Sequence, residues 1–360
     1  MVDGECGALP AEPPNGLFRK GHPVACGQEL PAAMSNCPLP SGHSNIYVGR
    51  DGSRPRRSLA PAPNLALTSE LRRRIGDACV AYKLMNTQSL TSAYVLGSAE
   101  AEHERLMRQG AWLAPITERL FRAAGIGQGQ RVLDVGCGVG EVTLLTARLV
   151  GPTGKVVGVD RDVVALAKAR SRAAGAGIDW VQFVEADLSN VGADTPFDAV
   201  VGRFILMFLP NPVTVMRDLA AKVRPGGVLA FQEPSWPSFL AQLAHLPLWS
   251  NCASLMVEIL RLSGARTDNV LGLFHDFQAI GLPPPQMRLE VPIGPDSYTR
   301  RWLAELLLTV QPRLKELGVS ADAVGDFSTL GDRLEQELDR ARSYGAGIGL
   351  IGAWARTPVI

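Results

Sequence analysis

Arg131-Val-Leu-Asp-Val-Gly-Cys-Gly-Val-Gly-Glu-Val-Thr-Leu-Leu145 decides the fold, because it passes from a buried strand through a glycine turn directly into a helix. Val132, Leu133 and Val135 are strand formers in a short apolar run. Gly136, Gly138 and Gly140 remove three side chains where the backbone must turn sharply and lie against a ligand. Helical spacing resumes over 141–150, and a helix that starts this way offers N–H groups that favour a carboxylate or phosphate. The glycines are spaced G-x-G-x-G and followed by Glu141, so the third glycine of the dinucleotide pattern G-x-G-x-x-G is missing. That spacing argues against NAD or FAD. Asp134 adds a carboxylate that would repel a pyrophosphate and attract an ammonium.

Working outward, Lys155-Val-Val-Gly-Val-Asp160 reads as a second strand ending in an acid about 20 residues past the glycines, where such an acid faces the ribose hydroxyls of a nucleoside. The plainer alternative is that Asp160 caps the helix expected over 162–174. Trp180-Val-Gln-Phe-Val-Glu-Ala-Asp187 is a third strand, with Asp187 able to accept a hydrogen bond from an exocyclic amine. Phe197-Asp-Ala-Val-Val-Gly-Arg203 is the fourth, a helix follows over 211–223, and 224–233 turns into a fifth strand ending at Glu233. Strictly alternating strands and helices predict an α/β fold with a doubly wound parallel sheet. Ligands in such sheets bind beyond the carboxyl ends of the strands, where Gly136, Asp160, Asp187, Arg203 and Glu233 all fall.

Taken in order, Val-Leu-Asp-Val-Gly-Cys-Gly-Val-Gly140, Val-Gly-Val-Asp160, Glu-Ala-Asp187, Phe-Asp-Ala-Val-Val201 and Val-Arg-Pro-Gly-Gly-Val-Leu229 resemble the motifs of class I S-adenosylmethionine-dependent methyltransferases. The resemblance implies a mostly parallel, seven-stranded Rossmann-like sheet, its last two strands antiparallel to the rest, with S-adenosyl-L-methionine as cofactor. It assigns Asp134, Gly136, Gly138 and Gly140 to the methionine part, Asp160 to the ribose and Asp187 with Leu188 to the adenine; Cys137, Arg161 and Arg203 join the cofactor-binding set. The segment around Tyr94-Val-Leu-Gly97, with 104–109, looks like the amino-terminal cover of a bacterial small-molecule branch, which adds Tyr94 and Gln109. The Asn/Asp-Pro-Pro-aromatic signature of the adenine- and glutamine-amide-methylating branches is absent; the fourth strand ends Gly202-Arg-Phe-Ile-Leu206 instead.

The remaining chain divides around this core. Residues 1–68, rich in proline, glycine and serine, read as a disordered extension. Residues 69–124 read as a helical cover, 125–234 as the cofactor-binding core, and 235–360 as helical insertions, a substrate lid and the last two strands. In the last region, helices are expected over 238–263 and 271–280, the sixth and seventh strands over 286–293 and 347–356, and a mostly helical lid or dimer contact over 298–344. His22, Cys26, Cys37 and His43 lack finger spacing and an apolar surround, so no zinc site is expected there. The Arg72-Arg73-Arg74 run fits one solvated helix face, and Met85 is an alternative translation start, just ahead of the first recognisable organisation.

The 360 residues carry a net charge of +1, which gives no electrostatic footprint for nucleic acid. Six cysteines without a framework, no signal sequence and no long apolar run predict a reduced, cytoplasmic chain with no membrane partner, possibly a homodimer. The expected reaction is methyl transfer to an oxygen or nitrogen of a small, partly hydrophobic acceptor, with carbon acceptors possible. His275 and Glu233 are the candidate bases, against a surface histidine and a lid-bonded carboxylate as the plainer alternatives. Trp236 offers either a stacking surface or simple packing. No acid cluster suggests a metal. The rival functions are methylation of RNA or protein, and cofactor binding without catalysis.

Overall fold

The computed structural model describes residue 96 and residues 100–188, 191–192, 195–267 and 272–359. The proline-rich extension, the histidine–cysteine set, the arginine run, the Met85 start and Tyr94 lie outside the described residues.

Five strands, β1 (Arg131–Val135), β2 (Lys155–Asp160), β3 (Val181–Glu185), β4 (Phe197–Arg203) and β5 (Val223–Ser235), run parallel. With β6 (Gln286–Glu290) and β9 (Gly349–Arg356) they form one seven-stranded sheet in the order β3-β2-β1-β4-β5-β9-β6. The strand order reverses between β1 and β4, and that switch point opens the ligand crevice of a doubly wound sheet. One expectation needs correction. Only β9 runs against the others: it pairs antiparallel with both β5 and β6, so β6 runs parallel to β5.

Side chains alternate between the two faces of the sheet with period two. Val132, Val156, Ala199, Val201 and Ala230 pack beneath α1 (Glu100–Ala124), α2 (Glu141–Val150) and α3 (Val163–Gly175). Leu133, Val157, Val200, Leu229 and Phe231 point the other way, against α4 (Pro212–Ala220) and α7 (Gly272–Ala279). Within the helical cover expected over 69–124, the described part, α1, is a single helix whose last turns bury Leu120 and Phe121 on the sheet.

A third core lies over one end of the sheet. It joins Leu113 and Ile116 of α1 to α5 (Trp236–Leu240), α6 (Pro247–Leu262), α8 (Ser297–Val310) and α10 (Leu330–Ala341), with α9 (Leu314–Leu317) at its margin. The expected sixth strand breaks after Glu290. Its tail, β7 (Ile293–Gly294), pairs instead with β8 (Gly345–Ala346), so two residues at each end staple the base of the helical insertion.

Candidate functional site

All three glycines of the turn adopt left-handed φ, with 68° at Gly136, 50° at Gly138 and 84° at Gly140. A Cβ at Gly136 would come within 2.6 Å of Ile205, whereas one at Gly138 would meet nothing within 4 Å, so Gly138 borders open space. The turn is tied to β2 through backbone: Gly136 and Cys137 both donate to Val159 O, at 2.9 and 3.0 Å. Asp160 completes the tie, accepting from Gly138 N at 2.7 Å and Asp162 N at 2.9 Å. Two accepted protons leave a carboxylate with lone pairs to spare. Helix α3 is capped by Asp162, which accepts from Val164 N and Ala165 N; the capping alternative for Asp160 therefore falls to its neighbour.

Asp134 is 1% exposed, and its Oδ2 accepts from Thr143 Oγ1 at 2.6 Å. Burial pushes its pKa up to about 7, against the opposing pulls of the Thr143 hydroxyl and Arg203. Cys137 turns inward: its Sγ lies 3.1 Å from where a Gly158 Cβ would be, and burial pushes the thiol pKa up. Its side chain is therefore part of the core, and only its backbone borders the crevice. Asp187 and Arg161 are exposed beyond β3 and β2, while Leu188 is half-buried beside the core under β2.

Helix α1 crosses this end of the sheet with an unusually polar buried face. Arg105 donates twice to Glu102, at 2.7 Å each, and once to Gln109 at 3.2 Å. A buried pair of this kind is geometrically specific because the guanidinium fork fits one carboxylate orientation. His103 is 2% exposed, with Nε2 3.9 Å from Asp162 and Nδ1 4.0 Å from Glu100 but without a hydrogen-bond partner. Gly110 packs directly onto Glu141, and Glu100 pairs with Lys168 of α3. His103 and Thr143 were missed by the sequence reading. His103 could have been found from its place beside Glu102, which lies seven residues before Gln109 on the buried face, but nothing in the sequence marks Thr143.

At the β4–β5 end, Arg203 donates to Thr117 Oγ1 at 3.0 Å, and that hydroxyl donates to Gln232 Oε1 at 2.7 Å. Desolvation draws the Arg203 pKa below its usual value, opposed by Glu141 and Asp134. Next along the chain, Phe204 takes φ 58°, a conformation a bulky residue adopts only when its surroundings enforce it. The enforcement is visible: Phe204 N donates to Gln232 O at 2.9 Å, and Glu233 accepts from Ile205 N, Leu206 N and Met207 N at 3.1, 2.9 and 3.3 Å.

Glu233 is therefore a fastener. It is 0% exposed, and burial raises its pKa to about 7 in spite of the three backbone donors. The pleat explains why: Gln232 faces α1, so its neighbour Glu233 must face the opposite side of the sheet. His275 is exposed on α7, its ring edge-on to Phe274 at 5.7 Å. Of the two candidate bases, one is thus exposed and the other fully buried. Among the described residues, no group of three or more histidine, cysteine or acidic side chains could hold a metal, and no helix is long and apolar enough to cross a membrane.

The sheet order, the reversal at β1/β4 and a glycine turn tied to an acid on β2 define a doubly wound α/β protein with a ligand crevice at the carboxyl ends of its strands. Comparison with known proteins agrees. A family model described as a methyltransferase domain matches residues 126–266. Methyltransferase GfsG of Streptomyces halstedii is 37% identical over 119 residues, 33% of this chain and 42% of that protein. The uncharacterized methyltransferase Rv0089 of Mycobacterium tuberculosis is 36% identical over 159 residues, 44% of this chain and 71% of that protein. Among solved structures, YcgJ from Bacillus subtilis aligns with a TM-score of 0.44 and 16% identity, over 67% of this chain and 97% of that one. The chain belongs to the class I S-adenosylmethionine-dependent methyltransferases.

Gly138 leaves open space against the turn, and Asp134 lies buried beneath it.

Proposed function

We propose that this methyltransferase acts on an oxygen or nitrogen of a small, partly apolar organic acceptor seated between α1 and the helical lid. The observation that carries this reading is the make-up of the lid. Together with α1 it forms one aromatic and aliphatic cluster, Trp112 of α1 lying 5.1 Å from Tyr298 and 6.0 Å from Trp302, and Trp302 6.4 Å from Trp236 between ring centres. Three outer arginines are paired with acids: Arg108 of α1 with Glu305, Arg300 with Asp339, and Arg301 with Asp332 and Glu335. Cations neutralised in this way are poorly suited to the phosphates of RNA.

In this reading Asp134 and the turn at Gly136, Gly138 and Gly140 hold the methionine portion, Asp160 the ribose, and Asp187 with Leu188 the adenine. Gln109 and its neighbours on α1 close over them. When bound, the cofactor supplies a methyl group already activated by its sulfonium. The protein's own contribution is then to orient the acceptor and exclude water, each of which the lid does. Glu233 serves by fixing the 204–207 loop at the mouth of the acceptor side, so no carboxylate base is required.

The test is transfer from methyl-labelled S-adenosylmethionine by the full chain to a panel of phenols, amines and carboxylic acids, beside total RNA and total protein. Label in the small-molecule fraction is the expected outcome. Label confined to RNA or protein would overturn the reading.

A further inference from the structure

Helix α1 meets the rest of the molecule in a fixed order along its length. Glu100 pairs with Lys168 of α3, and His103 Nε2 lies 3.9 Å from Asp162, the cap of that helix. Gly110 sits on Glu141 at the start of α2. Thr117 then bonds Arg203 and Gln232 near the carboxyl ends of β4 and β5. The helix thus crosses the carboxyl side of the sheet from the end of β2 to that of β5, over the switch point where ligands of this fold sit.

What holds the helix down changes along the way. Beyond residue 110, Leu113 and Ile116 belong to the lid core, and Leu120, Phe121 and Ala124 to the core over the sheet. None of residues 100–109 joins any of the three apolar cores. The buried side chains there are Glu102, His103, Arg105 and Gln109, while Leu106 and Met107 are only half-buried. Ion pairs and buried polar groups return little net stability, because docking strips them of water. Apolar burial carries no such penalty. Between the two halves lie the two residues that weaken a helix most: Gly110, and Pro115, which has no N–H for the Ala111 carbonyl.

We propose that residues 100–109 form a flap over the cofactor crevice that swings on the 110–115 segment while the second half of α1 stays fixed. Lys168 and Asp162 act as its catch, weak enough to release, and cofactor exchange waits on the opening. A freed segment of about ten residues is too short to remain helical in water, so opening exposes its amides. The inference rests on the cofactor reading above and adds the route by which the cofactor enters and leaves.

Hydrogen–deuterium exchange of the full chain tests it, with and without S-adenosylhomocysteine. In the free protein, amides 104–110 exchange as one group, at least about tenfold faster than amides 117–124. Bound S-adenosylhomocysteine slows the first group at least about fivefold and leaves the second unchanged. Pro115 is exposed, so Pro115→Ala disturbs no packing and restores the missing N–H. That variant slows both the exchange of 104–110 and the release of labelled S-adenosylhomocysteine by at least about threefold. Ordinary fraying would instead be graded along the helix and indifferent to residue 115. Equal exchange of the two halves, ligand that binds without protecting 104–110, or a Pro115→Ala variant with wild-type exchange and release overturns the inference. Failure of the wild type to bind S-adenosylhomocysteine in equilibrium dialysis overturns the cofactor assignment beneath it as well.

Discussion

The β1–β2 end of the crevice is built from backbone amides and carboxylates: Gly138 N on Asp160, and Asp134 beneath the turn beside Thr143. The β4–β5 end is built from rings and helices, with Trp112, Tyr298, Trp236 and Trp302 contributed by three separate elements. The first end is built from a turn whose conformation only glycine tolerates, so few sequences can make it. The second is built from apolar packing, which many sequences can supply, and this is the end that can vary with the acceptor.

The largest expected effect tests whether the β4–β5 end depends on its one buried carboxylate. Glu233→Ala leaves three backbone N–H groups unpaired and should cost roughly 3 kcal/mol or more of stability in urea unfolding. A loss below about 1 kcal/mol would mean that the 204–207 loop is held by packing alone. At the opposite end, Asp160→Ala should weaken S-adenosylmethionine binding by roughly 1–3 kcal/mol in calorimetric titration. Unchanged affinity would reduce Asp160 to its tie with Gly138.

A smaller effect separates the ends by pH. The Asp134 carboxyl, raised to about 7, is ionised above that pH and neutral below it. If its charge holds the ammonium of the cofactor, S-adenosylhomocysteine affinity rises about tenfold between pH 6 and pH 8, from the change in ionised fraction, and Asp134→Asn flattens the profile. A flat wild-type profile would remove the charge from that role. The smallest effect belongs to His275→Ala. An exposed residue outside both clusters should change stability by no more than about 0.5 kcal/mol and leave turnover near wild type. A large fall in turnover would return His275 to the acceptor side.

The same contrast governs what could be read from the sequence. β2 and β4 fall where the apolar runs place them, at Lys155–Asp160 and Phe197–Arg203, because a buried parallel strand must be apolar and its ends are marked by charge. The glycine turn was legible because positive φ restricts the residue choice. Glu233 was legible as a buried strand-end acid but not as a fastener, since its partners are backbone groups 26 to 28 residues earlier, which no side-chain pattern advertises. Thr117 and Gln232 escaped for a related reason. They are 115 residues apart, and their hydrogen bond exists only once α1 lies on β5. The direction of β6 could not be read at all, because a strand's amphipathic pattern is the same in either direction.

The β7–β8 staple places the entry and exit of the α8–α10 segment side by side, at Gly294 and Gly345. The sheet therefore never experiences the length of that segment, only the gap between two paired strands. Lengthening or replacing it perturbs loop-closure entropy slowly, by about 0.6 kcal/mol per doubling. The segment is in this sense a cartridge: recombination could exchange it for another of different shape while the strands of the sheet keep their registry, and if it covers the acceptor as proposed, new acceptors can be acquired without rebuilding the glycine turn.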